Sequence, residues 1–217
     1  QADEFFASLP DGFDAPQDFA AALPPAVEPA VKYIPVAGTA GKTTVAALTA
    51  GILKEAGFRT GLYTAGSEPL SARITVDGQP LPGAAAEAYT EAADRILEGT
   101  LLSRPAAELA AACCCFEAAG CFFAVVETAD GALASVLPEV PVCAVTHIGP
   151  GGSGRTIERL AHDAAAVMRK GAVCVTAPGQ PKAALAEIIV AAGKTECELV
   201  VPEEDDITFP EDDRPTA

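Results

Sequence analysis

Positive charge is scarce in this 217-residue sequence, where 14 Lys and Arg stand against 30 Asp and Glu. The resulting net charge of −16 repels nucleic acid and anionic membrane surfaces, so neither is expected as a partner. Long hydrophobic runs are missing as well. Half of the residues are hydrophobic, yet Gly, Pro or charge breaks every run well short of the roughly 20 residues a membrane span needs. The opening "QADEFFASLPDGFDAPQ" has neither a basic start nor a continuous apolar stretch, which argues against a secretory signal and makes a cytoplasmic location the expectation. Cysteine is not scarce, but zinc-ligand spacing is absent. Cys113, Cys114 and Cys115 are adjacent, and Cys143 and Cys174 sit inside apolar runs, so the seven thiols read as buried, reduced small hydrophobes.

From Lys32 onward, short apolar runs alternate with helix-like segments, the pattern of a parallel sheet covered by helices. The predicted strands are "KYIPVA", "RTGLYT", "FFAVVE", "VCAVTHI", "AVCVTA" and "CELVV", whose near-continuous hydrophobicity suits burial on both faces. Helices are predicted over 43–57, 84–97, 106–119, 155–170 and 181–192, the first from the recurrence of Val45, Leu48, Ile52 and Leu53 before Gly57. "ARITVDGQPL" alternates around Asp77-Gly78, a dipeptide suited to a tight turn, and predicts a hairpin projecting from the sheet. Residues 1–31 read as a short helix and a Pro-rich lead-in, 32–201 as one α/β domain of three layers, and 202–217 as a solvated acidic tail.

The chemistry concentrates in "VAGTAGKTT", Val36 to Thr44. Between a strand and a helix, a Gly-rich turn aims backbone N–H groups inward, and the helix adds the positive end of its dipole. Gly38 and Gly41 supply the turn, with Thr39 between them; Lys42 suits the β- and γ-phosphates, Thr43 suits Mg²⁺, and Thr44 continues the cradle. A bound nucleotide is the expectation, against the alternative of a Gly-containing turn that merely caps a helix.

This loop resembles the ATP loop of Mur ligases and folylpolyglutamate synthases, G-T-N-G-K-[TGS]-[TS], with Ala40 in place of the Asn. The resemblance covers roughly residues 32–201. "GLYTAGSEPL" is similar to the G-L-Y-T-S-P-H-L segment of the folate enzymes, and "ARITVDGQPL" to their E-R-I-x-V-N-G segment, which the muramyl ligases lack. "CFEAAGCFFAVVETADGALASV" and "VTHIGPGGSGRTIERLAHDAAAVMRKG" parallel later segments. The resemblance implies a P-loop NTPase-like α/β fold and an ADP-forming amide ligase that uses ATP and Mg²⁺ and takes a folate-like carboxylate and glutamate. It places Glu127, at the end of "FFAVVE", as a Mg²⁺ ligand beside Thr43, with Lys42 and Glu127 as the catalytic pair; it also matches Glu117 to a Phe-Glu pair.

Several expected groups are replaced. Ala65 stands where the resemblance expects Ser, Gly151-Gly152 where it expects Asp-His, and Ala164 where it expects the carbamylated Lys of the second metal. Ile157, Leu160, Ala161, Ala164 and Met168 share one helical face, so position 164 points inward. Lys170 lies about 120° away around that helix and is a poor substitute. His147, at a strand end, reads as structural. The sequence ends at Ala217 before the C-terminal domain that the family uses to close its site, so a protein partner supplying one is an expectation. Two readings stand: an ATP-dependent ligase domain with impaired chemistry, and a non-catalytic nucleotide-binding or protein-interaction module of the same descent.

Overall fold

A computed structural model describes residues 1–12, 20, 22–23, 30–98, 102–128, 131–150 and 154–203. The Gly151-Gly152 pair and the acidic tail from residue 204 onward lie outside the described residues. In chain order the elements are α1 (Ala2–Ser8), β1 (Lys32–Ala37), α2 (Lys42–Glu55), β2 (Thr60–Tyr63), α3 (Leu70–Arg73), β3 (Ile74–Val76), β4 (Gln79–Pro80) and α4 (Ala84–Glu98). They continue with α5 (Arg104–Ala118), β5 (Phe123–Glu127), α6 (Gly131–Ala134), β6 (Val142–Val145), α7 (Ile157–Ala165), β7 (Val173–Thr176), α8 (Lys182–Thr195) and β8 (Glu198–Val200).

The strands form one eight-stranded sheet in the order β4-β3-β2-β5-β1-β6-β7-β8. From β2 to β8 every pairing is parallel. The predicted hairpin forms, with Asp77 at φ 51° and Gly78 at φ 72°, as a two-residue turn of the expected hand requires. It pairs antiparallel onto β2 and so supplies the sheet's outer edge.

Proline inside the central strand β1 needs explanation, because Pro35 has no N–H to give to a ladder. Pairing of β1 with β6 begins only at Val36 and Ala37, after a separate contact in which Tyr33 N–H donates to the Glu139 carbonyl at 2.7 Å. Pro35 falls in the gap between these two, so no bond is forfeited.

Two apolar clusters sandwich the sheet. The larger one joins α1, α4, α5, α7 and α8 to one face and includes Phe6, Tyr33, Leu109, Phe116, Ile148 and Ile188. On the other face Ala46 and Ala50 of α2 pack on Ile34, Val36 and Val125. Their small side chains bring α2 close to the sheet, and this sets the loop at its N-terminus directly over the C-terminal ends of β1 and β5.

Elements at the periphery depart from the sequence pattern in understandable ways. α7 stops at Ala165, although periodicity carries it to Lys170, because its end tightens: Val167 N–H and Met168 N–H donate three residues back to Ala164 and Ala165. Met168 is therefore buried in the core from a turn rather than from the helix face on which its spacing placed it. At the other end Thr156 is the N-cap, its hydroxyl accepting from Arg159 N–H at 3.3 Å. α1 docks through Phe6, which is 1 % exposed and whose ring lies 5.4 Å from that of Tyr89 of α4, tilted by 35°. Burying one such ring is worth about 2–3 kcal/mol.

All seven cysteines are free thiols and buried. Among the described residues no helix is long and apolar enough to cross a membrane.

Candidate functional site

The loop between β1 and α2 is shaped by two glycines. Gly38 sits at φ 136°, and a Cβ built there would lie 2.2 Å from the Thr146 hydroxyl, so any side chain would collide with β6's end. Gly41 is the N-cap of α2 at φ 81°, in the left-handed region, with no side-chain hydrogen bond capping the helix. The first N–H groups of a helix have no intrahelical acceptor. Those of Lys42, Thr43 and Thr44 therefore face outward at the positive end of a 14-residue helix dipole.

Thr39 latches this loop to the segment after β6. Its hydroxyl donates to the His147 carbonyl at 3.0 Å and accepts from Gly149 N–H at 2.7 Å. Thr39 N–H and Ala40 N–H both donate to the same His147 carbonyl at 3.2 Å. His147 thus contributes its backbone, while its side chain is exposed. Beneath the latch, buried Gln180 accepts from Ile148 N–H at 3.0 Å and donates to the Thr146 carbonyl at 2.9 Å and the Thr176 hydroxyl at 3.0 Å. A Gln after a Pro-Gly turn carries no motif, and sequence reasoning missed it.

Glu127 closes the arrangement from β5. It is 5 % exposed, and its Oε2 accepts from the Thr43 hydroxyl at 2.8 Å and from Ala65 N–H at 3.2 Å. Its Oε1 stands 3.9 Å from Lys42 Nζ. Lys42 and Thr43 therefore meet Glu127, 84 positions beyond Thr43 in sequence, at one point, where the uncapped helix end opens. Thr44 lies in the first turn of α2, exposed. Hydroxyl and carboxylate are the hard oxygen donors that Mg²⁺ prefers, and that ion is commonly held by one or two protein oxygens together with phosphates and water. Among the described residues no group of three His, Cys, Asp or Glu could hold a metal by itself.

The other expected positions are placed as follows. Ala65 sits in the loop after β2, and its contribution is a backbone N–H where the resemblance looked for a side chain. Ala164 is buried at 7 % exposure, with Gly131 of α6 against it: a Cβ on Gly131 would meet the Asp163 and Ala164 carbonyls at 2.4 and 3.0 Å. Glu117 lies in the last turn of α5 near Tyr33, at the opposite end of β1 from the loop, and is not brought to the site.

A cavity of about 380 Å³ opens beside Glu127, lined among others by Tyr63, Ala65, Ser67, Arg104, Glu108 and Leu133. Its wall holds a buried charged pair that the sequence did not announce. Arg73 Nη2 and Nη1 donate to the two Glu108 oxygens at 2.6 and 3.0 Å, and the Tyr63 hydroxyl donates to Oε2 at 3.1 Å. Burial, and then the Glu108 charge, push the Tyr63 phenol well above its ordinary range. On the rim, Arg104 pairs with Asp11.

No protein-family profile matches the sequence, and no curated protein matches it. Solved structures do. One of E. coli FolC in complex with DHPP and ADP superposes at a TM-score of 0.74 with 22% identity, covering 92% of this chain and 50% of that one. An FPGS–AMPPCP–folate complex gives 0.76 and 23%, over 92% and 53%. A bifunctional folylpolyglutamate synthase/dihydrofolate synthase with Mn, AMPPNP and L-glutamate bound gives 0.73 and 21%, over 91% and 50%. The chain thus spans about half the length of the structures it matches. Its fold is shared with about half of each of these folylpolyglutamate synthase structures.

Proposed function

We propose, on the premise of that shared fold, that this domain binds ATP with Mg²⁺ on the loop from Gly38 to Thr44, as the nucleotide half of a folylpolyglutamate-synthase-like amide ligase. The observation that carries the reading is the meeting of Lys42, Thr43 and Glu127 at the uncapped N-terminus of α2. In this arrangement the α2 N–H groups and Lys42 receive the phosphates, and the Thr43 hydroxyl and the Glu127 carboxylate hold the ion. The ion supplies neutralisation of charge that develops on the phosphates during transfer. The protein's own work is to fix that charge in place: Gly38 lets the loop approach β6, Thr39 latches it, and Ala65 N–H turns Glu127 toward Thr43.

The carboxylate substrate of such a ligase belongs in the cavity beside Glu127, where a folate-like or other acid would lie within reach of the phosphates. A second ion is not part of the proposal. Ala164 offers a methyl group packed against α6, and a methyl group donates no electron pair. Transfer chemistry is accordingly reduced or lost in this chain. The non-catalytic alternative keeps the same nucleotide site and drops the turnover.

Calorimetry with ATP and Mg²⁺ tests the binding step. Wild-type protein is expected to bind, and Lys42→Ala to weaken binding by roughly ten- to a hundredfold, the worth of one charge-assisted phosphate contact. Unchanged affinity in Lys42→Ala would overturn the assignment of the loop. ADP release in the presence of glutamate and a folate then separates the two readings: ADP linked to amide formation supports the ligase, and tight binding without ADP supports the module.

A further inference from the structure

Beneath the exposed loop that follows β2 lies the Arg73–Glu108 pair, and its bonds extend beyond the pair itself. Arg73 is 7 % exposed and Glu108 8 %. Besides its fork onto Glu108, the guanidinium donates from Nε to the Glu68 carbonyl at 2.9 Å and from Nη1 to the Thr64 carbonyl at 3.1 Å. Thr64 N–H donates back to the Arg73 carbonyl at 3.1 Å. One side chain therefore pins both ends of the Thr64–Glu68 segment. Inside that segment sits Ala65, whose N–H donates to Glu127 Oε2.

Stability alone is a poor reason for such a pair. Desolvating two charges costs about as much as their attraction returns, so a well-packed apolar pair of similar size would serve the core equally well. An apolar pair could not hold two loop carbonyls. Glu108, fixed by the Tyr63 hydroxyl, in turn presents the guanidinium in the one plane that reaches both.

We propose that Arg73, held by Glu108, is a positioning residue: it fixes the Thr64–Glu68 loop so that Ala65 N–H holds Glu127 Oε2 and keeps the carboxylate oriented, beside Thr43, for the ion that accompanies the nucleotide. The inference rests on the reading of Glu127 given above. It predicts a defect that appears in the metal-dependent part of nucleotide affinity and not in the metal-free part, because the phosphate loop itself is untouched.

The test uses the full chain with Arg73→Lys and with the double variant Arg73→Met/Glu108→Met, which leaves no unpaired buried charge and so guards against misfolding. Amide exchange is measured on the ligand-free proteins, and ATP affinity is measured with and without Mg²⁺. In both variants Ala65 N–H is expected to exchange at least about tenfold faster while the Cys143 and Val145 amides of β6 keep their protection. The gain in ATP affinity on adding Mg²⁺ is expected to fall roughly ten- to a hundredfold, the usual effect of removing a group that orients a ligand, with Mg²⁺-free affinity unchanged. Lysine is not expected to rescue, since a point charge cannot span two carbonyls. Unchanged Ala65 exchange in a folded variant would overturn the proposal, and so would an equal loss of affinity with and without Mg²⁺. Should the wild-type protein show no Mg²⁺-dependent gain, the reading of Glu127 fails by itself, and the Ala65 exchange alone decides whether Arg73 positions the loop.

Discussion

Gly38 shows how much a single missing atom decides. Its φ of 136° is costly for any L side chain, and the Cβ that alanine would add meets the Thr146 hydroxyl at 2.2 Å and the Thr146 carbonyl at 3.1 Å. Neither neighbour can withdraw cheaply, because that hydroxyl donates to the Ala37 carbonyl at 3.1 Å and the Thr146 N–H to the same oxygen at 2.8 Å. Gly38→Ala is expected to destabilise the fold by about 2–4 kcal/mol, the sum of backbone strain and a displaced buried bond, read from urea midpoints at constant m. ATP affinity should fall with it. The glycine was legible in the sequence because its motif encodes a backbone requirement; the motif also named Lys42 and Thr43, and the resemblance Glu127, and the fold brings these three side chains together. Ala65 was not legible as a donor, since every residue except proline carries the same N–H and only the fold chooses which one is aimed. The Arg73–Glu108 pair was missed for another reason: Arg73 was read within the alternating hairpin segment and Glu108 within a predicted helix, and neither pattern shows that the two side chains meet.

At the scale of elements, strands and hairpin followed from local chemistry, whereas helix ends followed from packing. Asp77-Gly78 specifies its turn unaided, but α7 ends at Ala165 through carbonyl choices that periodicity cannot foresee. The docking of α1 is likewise a tertiary matter. Asp3 accepts from Ser71 N–H at 2.9 Å, from the Ser71 hydroxyl at 2.7 Å and from the Tyr89 hydroxyl at 2.7 Å. Burial pushes the Asp3 carboxyl up, but these bonds outweigh it and hold it below its ordinary value of 3.8. A group with a lowered folded value contributes stability that is complete above the unfolded value and lost as pH falls through the folded one. Acid below about pH 4 should therefore loosen α1, seen as faster exchange at Phe5 and Phe6. Asp3→Asn should lose about 1–2 kcal/mol at pH 7, after allowing for solvent screening of a partly exposed carboxylate, and should show no further loss of this contribution in acid. A carboxyl-to-amide change that left both stability and acid response unaltered would remove α1's polar anchor from the account.

Across the whole molecule, all seven thiols belong to the one larger apolar cluster on a single face of the sheet, which opens only when the helices of that face separate from it. Cys113, Cys114 and Cys115 lie in α5, Cys121 just before β5, Cys143 and Cys174 face one another across β6 and β7, and Cys197 donates to the Ala172 carbonyl at 3.1 Å. Burial pushes the Cys121 thiol up to about 12 and holds Cys113 and Cys115 above their ordinary range as well. Thiolate, the reactive form, is thus suppressed in the folded state by burial. Ellman's reagent at pH 8 is expected to label none of the seven thiols on the timescale of minutes, and all of them together in urea, with a native-state rate that follows global unfolding. ATP with Mg²⁺ should slow that labelling by the factor 1 + [ATP]/Kd, because a ligand that binds only the folded state lowers the population of the open one. Rapid labelling of one or two cysteines in the native protein would mean that a layer opens locally. Labelling of Cys113–Cys115 alone would place that opening at α5, whose Glu108 anchors Arg73, and would tie the mobility of the loop above Glu127 to the packing of the helix beneath it.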